Sequence, residues 1–156
     1  MKLWKSWKNV PTEIKILLPE ACLLLILLSI ALLLLPYKVL IRYLKYQPDK
    51  NPQSPNYHVP SPNSPEAHVA RAISICSRRL VPWAKCLPQA MAADIMLSRR
   101  EIQSHLFVGV FLQKDGKLGS HAWLCSGRVF VTGLEGSHGT EQIICYRKTH
   151  SGDLPS

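Results

Sequence analysis

The chain has 156 residues, 47% of them hydrophobic, and a formal net charge of +9, which fits one domain with attachments. The excess of basic residues before residue 47 flanks an apolar run, and this arrangement favours contact with anionic lipid. The sequence has no cluster of basic and aromatic residues, which argues against nucleic-acid binding. The five cysteines are odd in number and none is spaced Cys-x-x-Cys, which argues against a disulfide framework and a zinc site and favours a reducing, cytoplasmic compartment.

The first segment, residues 1–46, is hydrophobic and predicts a helix. Residues 21–37 carry no charge and are rich in leucine and isoleucine, a length near the lower limit for crossing a bilayer. Aromatic and basic residues stand on both sides of this run, as interfacial anchors do. We therefore expect membrane contact through residues 16–46, at the inner face of the cell membrane. The alternative is a buried hydrophobic helix that packs on the rest of the protein.

The remainder of the chain divides into a proline-rich linker, residues 47–65, and a folded domain, residues 66–156. Six prolines in the linker predict extended backbone. In the domain, hydrophobic spacing predicts helices over 66–80 and 87–98, followed by strands with turns at Asp115-Gly116 and Ser126-Gly127. The predicted strands are 104–112, 121–125, 128–132 and 142–147. Helices followed by antiparallel strands indicate an α+β fold.

Two residues of this domain carry the chemistry of a cysteine hydrolase or acyl transferase. Cys86 is predicted to open the second helix, where the helix dipole favours a thiolate and unpaired N–H groups can hold an oxyanion. His121 is predicted to start a strand and is the preferred base. The alternative for each is an ordinary packed side chain. Neither a cofactor nor a metal is expected, because the cysteines and histidines show no known ligand spacing.

These residues resemble a known family. The stretch Cys86-Leu87-Pro88-Gln89-Ala90, a later Val-Gly-Val strand and Ser120-His121-Ala122-Trp123 resemble the transglutaminase-like, papain-like leader peptidases of lasso-peptide biosynthesis. The resemblance implies helices packed on a small antiparallel sheet, after a hydrophobic N-terminal helix. It also implies a thiol protease that removes the leader from a ribosomally made precursor. The expected partners are that precursor, a PqqD-like leader-recognition protein and an ATP-dependent cyclase that closes the macrolactam.

The resemblance implies a Cys-His-Asp triad, but the window after His121 holds no Asp. Glu135 is the nearest carboxylate that follows His121 and is our candidate for the orienting acid, with a backbone carbonyl or a Cys-His dyad as alternatives. The candidates for substrate or oxyanion contacts are Trp83, Leu87, Gln89 and Trp123. Two other functions stay open: a small membrane-anchored scaffold with a structural Cys86, and a transglutaminase-like amidase or acyl transferase acting on another substrate.

Overall fold

The described residues form four helices and one five-stranded antiparallel sheet. The computed structural model describes residues 10–49, 58–113, 115–134 and 141–148, with backbone only at residues 142 and 143. The helices are α1 (Thr12–Leu34), α2 (Tyr37–Tyr43), α3 (Pro65–Arg79) and α4 (Cys86–Ser98). The strands are β1 (Tyr46–Pro48), β2 (His105–Leu112), β3 (Leu118–Ser126), β4 (Val129–Thr132) and β5 (Glu141–Lys148), in the order β1-β5-β2-β3-β4. The predicted α+β fold is therefore confirmed.

The two domain helices begin where the sequence carries start signals. Ser64 caps α3, since its side-chain oxygen accepts a hydrogen bond from the N–H of Ala67 at 3.2 Å, and Pro65 occupies the first turn. Pro88 lies in the first turn of α4, where a missing N–H costs nothing. The buried side of α3 is the predicted stripe Val69, Ala72, Ile73 and Cys76.

Helix α1 lies against both of these helices and contributes to the same hydrophobic core. Its buried side chains are Ile14, Leu18, Ala21, Leu24, Leu25 and Leu28. The Cys76 thiol donates a hydrogen bond to the Leu18 carbonyl oxygen at 3.4 Å. At the edge of the contact, Glu20 forms ion pairs of 2.9 Å with Arg99 and with Arg100. One side of the hydrophobic N-terminal helix is thus part of the domain. This agrees with the second interpretation of the sequence, a hydrophobic helix that packs on the rest of the protein.

The predicted linker over residues 47–65 stays a prediction in its middle, because residues 50–57 lie outside the described part. Its two ends, in contrast, are built into the sheet. Tyr46–Pro48 pairs with β5. At the other end, the N–H of His58 donates to the carbonyl of Arg128 at 2.7 Å, and the His58 carbonyl accepts from the N–H of Phe130 at 3.0 Å. These ends therefore hold the two edges of the sheet rather than acting as a free spacer.

A buried polar cluster fastens α4 to the first and last strands. Asp94, 2% exposed, accepts hydrogen bonds from Tyr46 Oη and from Ser104 Oγ, the latter at 2.6 Å, and pairs with Lys148 Nζ at 2.9 Å. A buried carboxylate needs such partners because desolvation is costly. The cluster lies two turns along the helix that Cys86 begins, so it fixes the position of the helix that carries the candidate nucleophile.

Candidate active site

Cys86 is the first residue of α4, one position earlier than the helix predicted from the sequence. Lys85 is the N-cap residue and its side chain does not cap the helix. The first N–H groups of a helix have no partner within it, and Pro88 has no N–H at all. The N–H groups of Cys86 and Leu87 are therefore the first-turn donors. A helix start of this kind favours an anion, whether a thiolate or the oxyanion formed on a substrate.

Cys86 and His121 line the same cleft, which has a volume of about 840 Å³. One wall is α3, and the opposite wall is formed by the end of β4 and the residues that follow it. The turn before α4 and residues 59–60 complete the rim. Its described lining includes two arginines, Arg71 and Arg78, and no carboxylate. The thiol and the imidazole that the sequence singles out, 35 positions apart, are thus brought to one open, basic groove.

The orientation of the His121 ring is set by a backbone carbonyl. Nε2 of His121 lies 2.8 Å from the carbonyl oxygen of Gly133. A carbonyl oxygen only accepts, so Nε2 carries the ring proton and Nδ1 presents the lone pair. The ring also stacks on Trp123, with centroids 6.1 Å apart and an 18° angle between planes. These two contacts leave Nδ1 as the nitrogen that takes a proton.

Gly133 is required at this position by both conformation and space. Its φ is +82°, a region that other residues rarely adopt. A Cβ built there would lie 2.7 Å from the Trp123 Cβ and 2.8 Å from the Ala122 carbonyl oxygen. The backbone therefore passes so close to β3 that its carbonyl reaches the imidazole. Nothing in the sequence marks the carbonyl of Gly133 as the acceptor.

The structure separates the other candidate residues into two groups. Gln89 lines the cleft, and its side-chain N–H donates to the Ala84 carbonyl at 2.7 Å, which secures the turn before the nucleophile. Trp83 is 61% exposed and Leu87 packs against the core, and neither is part of the cleft lining. Trp123 is 5% exposed and stacks between His121 and Phe107, so it supports the imidazole rather than facing the groove.

Two residues near the end of β4, Thr132 and Glu135, need separate mention. Glu135, the candidate orienting acid, lies outside the described residues. Thr132 lines the cleft, and its buried Oγ1 has no hydrogen-bond partner among the described residues. An unpaired buried hydroxyl is costly, and because this oxygen is shielded from solvent the unmet hydrogen bond lies inside the wall of the cleft.

Three of the other thiols, those of Cys76, Cys125 and Cys145, are in environments that keep them protonated or enclosed. Burial raises the pKa of Cys76 to about 11, with a smaller contribution from Cys22. Burial, and then the charge of Asp49, raises the pKa of Cys145 to about 12. Cys125 is 1% exposed, whereas Cys86 is partly exposed at the cleft. Within the described residues, no group of three or more His, Cys, Asp or Glu side chains is placed to hold a metal ion.

The comparison with protein families places the chain in one superfamily. Residues 23–144 match the family described as Transglutaminase-like superfamily. The match covers more than half of the chain, so the protein belongs to this superfamily, whose chemistry is that of cysteine-based hydrolases and transferases. No curated protein matches the chain, and no solved structure does. The matched range begins inside α1 and ends in β5, and therefore includes both Cys86 and His121.

Proposed function

We propose that the protein is a cysteine peptidase that removes the leader from a ribosomally made lasso-peptide precursor before macrolactam formation. The observation that carries the proposal is the joint placement of Cys86, at a helix N-terminus, and of His121, with its Nε2–H held by Gly133, on one open cleft. Thiol acyl transfer needs a thiol and a base in one site, and this cleft holds both. The sequence motifs around the two residues support the leader-peptidase assignment within the superfamily.

The reaction proceeds through a thioester on Cys86. Nδ1 of His121 takes the thiol proton, and the thiolate attacks the scissile carbonyl while the first-turn N–H groups of α4 stabilise the oxyanion. The imidazolium then protonates the leaving amine, which frees the core peptide with a new α-amino group. Water, deprotonated by the same ring, hydrolyses the leader thioester and restores the thiol. The freed amine is what a downstream cyclase needs to close an amide ring.

The shape and charge of the cleft suit a peptide substrate. Its volume of about 840 Å³ and its open form leave room for several residues of an extended chain. Arg71 and Arg78 line the cleft and favour acidic side chains on the leader. In this proposal a separate PqqD-like protein delivers the leader, and cleavage takes place in the cytoplasm.

The test is cleavage of the precursor encoded beside this gene, in the presence of the leader-recognition protein, followed by mass spectrometry. We expect Cys86→Ala to abolish cleavage and Cys22→Ala, a matched change at a partly buried thiol outside the cleft, to retain it. Full cleavage by the Cys86→Ala variant would contradict the proposal.

Acyl transfer to an amine is a second candidate with the same chemistry. The basic, open cleft favours it equally, because a second substrate can approach the thioester. Incubation with a primary amine distinguishes the two. A leader that gains the mass of the amine indicates transfer, whereas a leader with a free carboxyl group indicates hydrolysis. Formation of neither product by the native chain would leave the scaffold alternative.

A further inference from the structure

We propose that the outer side of α1 and the basic hollow beside α2 together form a surface that binds an anionic lipid bilayer in the plane of the membrane. The outer side of α1 carries exposed apolar side chains, which we call the outer stripe: Ile16, and then, beyond the ion-paired Glu20, Leu23, Leu27, Ile30 and Leu34. These side chains recur every three to seven residues along one face, and they are 71%, 58%, 53%, 48% and 72% exposed, respectively. A helix on the surface of a soluble protein carries polar residues on the side that faces away from the core, so an apolar outer side is unusual.

The inner side of the same helix prevents it from leaving the domain. Leu18, Ala21 and Leu25 are buried against α3 and α4, and the Glu20 ion pairs tie the helix to the end of α4. The helix is long and apolar enough to cross a membrane by length and composition. Crossing, however, would uncover the core stripe of α3 to water. An in-plane position satisfies both sides, because the outer stripe enters the lipid while the inner side stays packed.

A basic hollow lies where the outer stripe ends. It has a volume of about 420 Å³ and is lined by Lys38, Arg42 and Lys45, with no carboxylate among its described lining residues. Beside it, Tyr43 is 82% exposed and Val39 is 48% exposed. Cations and an aromatic ring next to an apolar face match the phosphate and interfacial layers of a bilayer. Charge complementarity therefore favours an anionic lipid surface over an apolar face of a protein partner.

This arrangement leaves the catalytic cleft open. Helix α3 contacts α1 through the side that bears Cys76, whereas the cleft is lined by Ala67, Arg71, Ser74 and Arg78 on the other side of the same helix. The membrane surface and the cleft are thus separated by the width of α3. A peptide can enter from the aqueous side while the protein rests on lipid.

Flotation of the full chain with vesicles tests the proposal. We expect binding to phosphatidylglycerol-containing vesicles and much weaker binding to pure phosphatidylcholine, with the difference reduced by salt. The double variant Leu23→Glu/Leu27→Glu should lose binding, and Lys38→Ala/Arg42→Ala should weaken it about thirtyfold. The matched control is Leu112→Glu/Leu118→Glu, which places the same charges on leucines that are 71% and 74% exposed on the sheet, and which should bind normally.

The in-plane geometry has its own measurement. An amine-reactive reagent that does not cross the bilayer, added outside the vesicles, should modify both Lys15, in the first turn of α1, and Lys38, in α2 beyond the other end of α1. Modification of one end alone would overturn the in-plane position. Equal binding by the outer-stripe variant and its control, or self-association through the outer stripe without vesicle binding, would overturn the lipid assignment. Unchanged thermal unfolding of the variants verifies that the fold is intact.

Discussion

At the scale of single residues, the site depends on which thiol can become an anion. Cys86 combines a helix start with access to the cleft, whereas burial raises the pKa of Cys76 to about 11 and that of Cys145 to about 12. A thiol reacts as its thiolate, so raised pKa values and enclosure both suppress modification. Of the five cysteines in the sequence, Cys86 is the one that lines the described cleft, and it is therefore our candidate nucleophile.

Alkylation of the native chain checks this directly. At pH 7 to 8, we expect iodoacetamide to modify Cys86 first, and Cys76 and Cys145 only after unfolding. Peptide mapping by mass spectrometry at short times gives the order of modification. Replacement of His121 by Ala should slow the reaction of Cys86 without changing that of Cys22. Equal rates at Cys76 and Cys86 in the folded protein would contradict the assignment.

The carbonyl of Gly133 gives a second prediction at this scale. A Cβ at residue 133 would collide with the Trp123 side chain and the Ala122 backbone, at a φ of +82°. We expect Gly133→Ala to lower kcat about tenfold or more, because the His121 ring loses its acceptor. Gly127→Ala is the control, since its φ is also positive but its Cβ would meet nothing within 4 Å. Equal activity of the two variants would contradict the role of the Gly133 carbonyl in orienting the His121 ring.

At the scale of secondary-structure elements, the position of α4 depends on the Asp94 cluster. Asp94→Ala leaves Lys148 with an uncompensated charge at a site where its side chain is 14% exposed. We expect a loss of about 3–5 kcal/mol in the free energy of unfolding, measured by urea denaturation. Glu20→Ala breaks more exposed ion pairs and should cost about 1 kcal/mol or less. A similar cost for both would contradict the structural role of the cluster.

The same cluster predicts a response to alkaline pH. Burial, and then the negative charge of Asp94, raises the pKa of Tyr46 well above its usual value. Because the folded-state pKa is raised, the stabilisation is complete below the unfolded value of about 10 and is lost as pH rises above it. We expect the melting temperature of the native chain to fall more steeply above about pH 10 than that of Tyr46→Phe. Parallel curves would argue against this coupling.

At the scale of the whole molecule, the hydrophobic segment and the catalytic domain are joined through one core. Removal of residues 1–35 would expose Val69, Ala72, Ile73 and Cys76, which are at most 1% exposed in the folded chain. We therefore expect the truncated chain to aggregate or to lack a cooperative unfolding transition, measured by circular dichroism and gel filtration. A soluble, cooperatively folded fragment would show that α1 is an attachment to a domain complete without it.

Most elements of this fold follow from local patterns in the sequence. Helical spacing in α3, the proline in the first turn of α4 and the turns at Asp115-Gly116 and Ser126-Gly127 all predicted elements close to those observed. Strand β1 escaped prediction because its three residues are fixed by pairing with β5, about a hundred positions away along the chain. Local sequence does not encode such a partner.

The sequence predicted those parts of the candidate site in which a side chain performs the chemistry. Cys86 and His121 were identified because their residue types limit the chemistry that they can perform. The ring acceptor of His121, in contrast, is a main-chain atom of Gly133, and every residue has a carbonyl. A search for an acid therefore pointed to Glu135, while the partner in the described structure depends on backbone path and close packing. The Gly133 carbonyl oxygen is the acceptor because of where the folded backbone places it, and not because of its residue type.

The use of a main-chain acceptor has a consequence for how the enzyme would evolve. A carboxylate can be deleted by one codon change, whereas a carbonyl persists through any substitution that preserves the backbone. The same atom is present only while the edge strand β4 stays docked, and the His58 pairing holds that strand from outside. The position of the Gly133 carbonyl therefore depends on the pairing at this edge of the sheet, and a change that loosens β4 would also displace the acceptor of the His121 ring.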